Sequence, residues 1–300
     1  MPALTPVRLV LIHGLLALAC LIGPLRPAMA ESAVPVPLNE NVSCATDRLH
    51  YCHAGSGEPT LLFLHGWGGR AEFWNSQIND FSSRYRVYAV DLPGHARSGY
   101  DGGTPTIKGL AEALAGFLNA QDLSHVILIG HDMGGFVGLA LTQTDAGRAR
   151  IRGLVAIESL VDTRMSIPAR QYQRVVSNLR RHYRETARQL TVDLFPPTAD
   201  AALVNWVAES VATTDPDMSV ALLDDVVNLD LLPLLSQFEG PVRILNTVSN
   251  PPRLDSLRQA HPRTDAVVVP WESHFSFLEH PDQFNQVLLE VLQSLAGEAR

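Results

Sequence analysis

Three side chains of this sequence stand where covalent hydrolytic chemistry would need them. Asp132 is the centre of Gly130-His131-Asp132-Met133-Gly134, which directly follows the apolar run Val126 to Ile129 and directly precedes a Gly-rich helical pattern. That is the form Gly-x-nucleophile-x-Gly, whose small flanking residues suit a cramped strand-to-helix turn. His274, in Trp271-Glu272-Ser273-His274-Phe275, follows the last apolar run and is the candidate general base. Such a base needs a carboxylate to fix its tautomer and stabilise its cation, and Glu158, at the end of the run Leu154 to Ile157, is the first candidate. Asp162 and Asp255 rank second and third, while Asn250, beyond the run Val242 to Leu245, is an amide with no charge to offer. Upstream, His65-Gly66-Trp67-Gly68-Gly69 closes the run Leu61 to Leu64, and the backbone N–H groups of Trp67 and Met133 are the expected oxyanion donors.

A carboxylate attacking a carboxylic ester would give a reactive mixed anhydride, whereas displacement at an sp³ carbon gives a simple alkyl ester. Epoxides and alkyl halides are therefore the natural substrates of an Asp132 nucleophile, with His274 activating the water that cleaves the ester. The products are a diol or an alcohol, and no metal or organic cofactor enters. Epoxide opening also wants a proton donor, and Tyr172, His182 and Tyr183 are available in a helical stretch. If that stretch is one helix, the two tyrosines lie about three turns and on the order of 16 Å apart, so at most one serves a given oxygen. Halide release wants N–H donors, of which the Trp67 indole is the one suitably placed. His65, His131, Tyr172 and Tyr183 are the candidate substrate-binding residues, His131 as a support for the nucleophile rather than a second base. Ser98, in Arg97-Ser98-Gly99, reads as a turn residue and not as a nucleophile.

Positioning these groups is the task of short apolar runs that alternate with helical patterns, which is the signature of a mostly parallel α/β sheet with helices on both faces. The strands expected are 61–64, 87–90, 126–129, 154–157, 242–245 and 266–269, with helices near 70–84, 106–121 and 134–144 and a last one after Pro281. Between Thr163 and Glu239 the strand rhythm stops and amphipathic segments follow, at 169–190, 201–212 and 218–228. The expected organisation is a leader at 1–30, a first core part at 31–162, an inserted helical cap at 163–239 and a second core part at 240–300.

These elements, with Asp91-Leu92-Pro93-Gly94-His95 between them, resemble the α/β-hydrolase superfamily over essentially the whole chain beyond the leader. The stretch 154–159 and the ending around His274 look like bacterial esterase-type members, whose elbow carries Ser. Asp132 instead resembles the nucleophile of epoxide hydrolases, haloalkane dehalogenases and those haloacid dehalogenases that share the fold, several of which place an acid where Glu158 stands. Two positions depart from that second resemblance: Gly68, where Pro is usual, and Met133, where Trp is frequent. The resemblance implies a cofactor-independent hydrolase with an Asp nucleophile, first of all an epoxide hydrolase. A dehalogenase is the alternative, and an esterase-like relative with altered or lost activity or a non-enzymatic periplasmic binder also stays open.

The chain has 300 residues and a formal net charge of −8. Arg8, the apolar run Leu9 to Ile22 and the small-residue site Ala28-Met29-Ala30 read as a cleaved signal peptide, so a periplasmic or secreted protein without stable membrane insertion is expected. Ala17-Leu18-Ala19-Cys20 only faintly matches a lipoprotein box. Loss of Arg8 and Arg26 makes the mature chain more acidic still, which argues against a nucleic-acid partner and leaves a small molecule as the expected ligand. Cys44 and Cys52 would remain, and an oxidising compartment would permit a disulfide, but a turn at 45–48 would set them on opposite faces of the opening hairpin, which argues against their pairing. No Cys/His cluster has metal-ligand spacing.

Overall fold

A computed structural model of the protein describes residues 34–101, 103–163 and 167–298. The expected leader at 1–30 lies outside the described residues. One sheet holds β1 (Ser43–Thr46), β2 (His50–Ala54), β3 (Thr60–Leu64), β4 (Arg86–Val90), β5 (Val126–His131), β6 (Ile151–Ile157), β7 (Val242–Thr247) and β8 (Thr264–Val269), in the spatial order β1-β2-β4-β3-β5-β6-β7-β8. The β1–β2 and β2–β4 pairs are antiparallel and every pair from β4 to β8 is parallel. All six strands expected from the sequence are present. β3 and β5 are buried along their whole length, which is why they read as continuous apolar runs rather than alternating ones.

Helices α1 (Asn75–Phe81), α2 (Ile107–Ala120), α3 (Met133–Leu141) and α4 (Asp145–Arg150) lie between the early strands, and a 3₁₀ turn at Ala71–Trp74 precedes α1. Five helices separate β6 from β7: α5 (Ala169–Arg181), α6 (Tyr183–Val192), α7 (Ala201–Ala212), α8 (Pro216–Asn228) and α9 (Leu231–Gln237). The last three each open on an aspartate, Asp200, Asp215 or Asp230, whose side chain accepts a backbone N–H of the first turn, and α8 adds Pro216 at its first position. The stretch 169–190, expected as one helix, is two, because His182 leaves the helical region at φ −143° and ψ 59°. α10 (Leu254–Ala260), α11 (Ser276–Glu279) and α12 (Pro281–Glu298) complete the chain. No helix among the described residues is long and apolar enough to cross a membrane.

The opening hairpin corrects one expectation. Its turn is centred on Arg48 instead of 46–47, so Cys44 and Cys52 sit directly opposite one another and form a disulfide. A shift in turn position of this kind changes which residues face each other, and the spacing of the cysteines alone did not fix it.

Parallel register then sets the functional end of the sheet. His131 of β5 is level with Ile157 of β6, and Ile157 is level with Leu245 of β7. The residues that follow, Asp132 and Glu158, therefore emerge side by side at the carboxyl ends of adjacent strands, level with Asn246 in the last residues of β7. Two backbone bonds hold this level: Asp132 N–H donates to Ile157 O at 2.9 Å, and Glu158 N–H donates to Leu245 O at 3.2 Å.

Candidate active site

Asp132 caps α3 with φ 50° and ψ −120°, a conformation that a non-glycine residue rarely adopts. The turn projects its carboxylate toward the loop after β3, and that loop comes so close that a Cβ on Gly66 would lie 2.8 Å from both the Cβ and Oδ2 of Asp132. Gly68 has φ 65°, and a Cβ there would lie 2.7 Å from Val211 Cγ1 of α7. Proline, fixed near φ −65°, could not take this turn, which accounts for the departure at Gly68.

Asp132 is 5 % exposed, and its two oxygens are treated unequally. Trp67 N–H donates to Oδ2 at 3.1 Å, whereas Oδ1 is buried without a partner among the described residues. Burial pushes the carboxyl above the ordinary range; His274 and the amides of Trp67 and Met133 pull in the opposite direction without cancelling it.

His274 is 4 % exposed and its Nδ1 lies 3.6 Å from Glu158 Oε2, an ion-pair distance in which both groups are buried. Glu158, itself at φ 48°, is held from the β7 side: Thr247 N–H donates to Oε1, and Asn250 Nδ2 donates to Oε2 at 3.4 Å. Asn250 therefore stands where the sequence placed it but serves the acid of the neighbouring strand end. The two lower-ranked acids do not approach His274. Asp162 is taken by Thr163, Ser256 and Arg253, and Asp255 is exposed in the first turn of α10.

The remaining candidates divide. His131 lines the cavity at Asp132, its ring 4.5 Å from that of His274, and Nε2 hydrogen-bonds to His274 O at 3.0 Å. Burial, followed by the neighbouring His274, holds its pKa well below the usual histidine value, so it stays neutral. His65 does not line that cavity: Leu92 N–H donates to its Nε2 at 2.9 Å, which leaves Nδ1 to donate to Gly66 O at 2.8 Å, and burial lowers its pKa to about 4. It ties the oxyanion loop to the loop after β4.

Tyr172 and Tyr183 are also corrected. The Tyr172 hydroxyl donates to Asp224 and the Tyr183 hydroxyl meets Val211 O at 3.1 Å and Ser219 Oγ at 2.7 Å, so neither faces the cavity. His182, the third donor considered, pairs with Glu185 on the surface. The Trp67 indole is occupied as well, donating to Ser219 O of α8 at 2.8 Å.

Residues the sequence did not single out form most of the wall. The cavity beside Asp132 measures about 50 Å³, and α6 to α8 with the segment after α6 contribute Leu190, Thr191, Leu194, Val211 and Leu223, while Phe73 and Phe275 come from the core. Leu190 and Thr191 lie in the last turn of α6 and Leu194 beyond its end, so no helical spacing announced the group. The Thr191 hydroxyl donates to Ala187 O at 2.9 Å. Among the described residues, the side chains grouped closely enough to ligate a metal ion are Cys44, His50 and Cys52, and the disulfide engages both sulfurs.

The chain belongs to the alpha/beta hydrolase family, whose profile it matches over residues 61–287. It is thus a hydrolase-fold enzyme in class. More particularly, it is 32 % identical over 260 residues to the pimeloyl-[acyl-carrier protein] methyl ester esterase of Edwardsiella ictaluri, a match covering 80 % of this chain and 95 % of that protein. The Nitrosomonas europaea protein of the same name is 28 % identical, over 79 % of this chain and 96 % of its own. In fold the chain resembles a bromoperoxidase from Bacillus anthracis, with a TM-score of 0.73, 19 % identity and coverage of 82 % and 96 %. A thermophilic esterase from Thermogutta terrifontis gives a TM-score of 0.70, 22 % identity and coverage of 82 % and 93 %.

Proposed function

We propose that the protein is a cofactor-independent hydrolase that opens its reaction by attack of Asp132 Oδ1 on an electrophilic sp³ carbon. One observation carries this reading: the oxyanion donor already holds Asp132 Oδ2, leaving Oδ1 unpaired. In an acyl-transfer enzyme that hole receives the carbonyl oxygen of the substrate. Here it receives the enzyme's own oxygen, which becomes the carbonyl oxygen of an Asp132 ester.

A lone pair of Oδ1 forms the new C–O bond while the leaving group departs with its electron pair. His274 then takes a proton from water as the water oxygen adds to the Asp132 carbonyl carbon, and the negative charge develops on Oδ2 against the Trp67 and Met133 amides. Collapse expels the alkoxide, which takes the proton from His274, and the second proton of the water stays on the Asp132 carboxyl until it is lost to solvent before the next turnover. Glu158 stabilises the imidazolium in between.

Within this class the corrected tyrosines shift the substrate away from epoxides. An epoxide leaves as an alkoxide that needs a proton, and neither tyrosine hydroxyl reaches the cavity. An alkyl halide, whose leaving group is a stable anion, asks for no acid, although the Trp67 indole, which donates to Ser219 O, is not free to hold the departing halide. Turnover of small bromoalkanes exceeding that of 1,2-epoxides and of methyl esters is the expected result of a substrate panel, and methyl-ester turnover exceeding both would overturn the proposal. A second reading, an esterase, is supported by the names of the relatives. It requires Asp132 Oδ2 to leave the hole.

Glu158→Gln is expected to lower turnover on the order of 10³–10⁴-fold, the scale for removing the orienting acid of a histidine base. Asn250→Ala loses one long hydrogen bond and should cost about tenfold or less. Steady-state rates of the two folded variants test this, and the reverse ranking would remove Glu158 as the acid that serves His274. The Cys44–Cys52 disulfide supports export to an oxidising compartment.

A further inference from the structure

A second hollow opens on the surface next to the catalytic cavity, with a volume of about 420 Å³. Val36, Leu203, Trp206 and Leu278 form its apolar walls, and Glu72 and Glu279 also line it. Phe73 lines both this groove and the cavity at Asp132, so a single side chain separates them. Its ring is 1 % exposed and stands between an aromatic from each side: Trp206 of the groove at 5.0 Å and 68°, and Phe275 of the cavity at 6.4 Å and 86°.

The volumes decide what such an arrangement is for. Binding sites for ligands of ordinary metabolite size run to roughly 300–1,000 Å³. The cavity at about 50 Å³ holds the reacting end of a substrate and little more, whereas the groove falls inside that range. We propose that the groove is a second subsite, which takes the uncharged alkyl tail of a substrate whose electrophilic carbon lies at Asp132, and that Phe73 is the specificity-determining partition the chain must pass. This rests on the Asp132 reading above. The side chains of Val36, Leu203, Trp206 and Leu278 offer an alkyl chain aliphatic and indole surface, and Glu72 beside them is already paired with Arg70 and Arg97.

The test has a kinetic and a binding arm. With the full chain, kcat/KM for 1-bromoalkanes is expected to rise about fourfold per methylene once the tail reaches the groove. Leu203→Arg and Phe73→Trp should each collapse the ratio of long-chain to short-chain kcat/KM. Binding is read separately in Asp132→Asn, which removes the nucleophile. A decanol carrying two bromines in mid-chain should quench Trp206 fluorescence saturably, seen as the signal lost when Trp206→Phe is added. A flat chain-length profile together with no Trp206 quenching would overturn the subsite. Quenching with no alkylation of Asp132 by any chain length would support the subsite and overturn the Asp132 chemistry instead.

Discussion

In His274→Gln, intact-protein mass spectra are expected to show one alkyl group added to Asp132 by a bromoalkane and retained there. Attack on the sp³ carbon needs only the carboxylate, while cleavage of the resulting ester needs a base for water. Loss of that base should slow the second step by roughly 10²–10⁴-fold, so the ester accumulates. Formation of the adduct should also depend on pH in a defined direction. Burial holds the Asp132 carboxyl above the ordinary carboxylate range and the neighbouring His274 pulls it back down, so the variant should need a higher pH than wild type to ionise Asp132. Only the ionised form attacks. The alkylation rate therefore rises with pH through that raised pKa, and a folded variant that gains no adduct at any pH would remove Asp132 as the nucleophile.

Asp132→Ser should lose haloalkane turnover by on the order of 10⁶-fold, the scale for removing a covalent nucleophile, because a serine alkyl ether cannot be cleaved by water. The same change should create a weak activity. Serine is too short to fill the oxyanion hole as Asp132 Oδ2 does, so the Trp67 and Met133 amides become available to a substrate carbonyl. With His274 and Glu158 in place, the parts needed for acyl transfer are then assembled. Hydrolysis of short p-nitrophenyl esters is expected to exceed that of the Asp132→Ser, His274→Ala double variant by on the order of 10²-fold. Equal rates in the two variants would show that the base does not address the elbow.

Much of the fold was legible because the inner strands of a parallel sheet, buried on both faces, write themselves as unbroken apolar runs, and the run 266–269 became a strand as well although Val267 and Val268 of β8 are exposed. The placing of Asp132 and Glu158 at neighbouring strand ends was legible for the same reason, since parallel register carries one strand end to the level of the next. What escaped the sequence was long-range. The Tyr183 hydroxyl is taken by Val211 and Ser219, which are 28 and 36 residues away, and nothing local announces which of many carbonyls a hydroxyl will meet. His65 is bound to Leu92 in the same way, 27 residues on. Gly68 could be seen as a departure from a pattern, but its cause, Val211 closing onto a left-handed turn, lies in the packing of α7. The hairpin failed on a smaller matter, the centre of a turn, which decides whether Cys44 faces Cys52.

A single turnover in heavy-oxygen water, with enzyme in excess over a bromoalkane, tests the covalent role of Asp132 most directly. If Oδ1 forms the ester and water attacks the Asp132 carbonyl carbon, the first alcohol released carries an ordinary oxygen taken from Asp132, and the heavy oxygen is found in the peptide that contains Asp132. Heavy oxygen in the first alcohol, with none in that peptide, would mean that water attacks the substrate itself and that Asp132 is not the nucleophile.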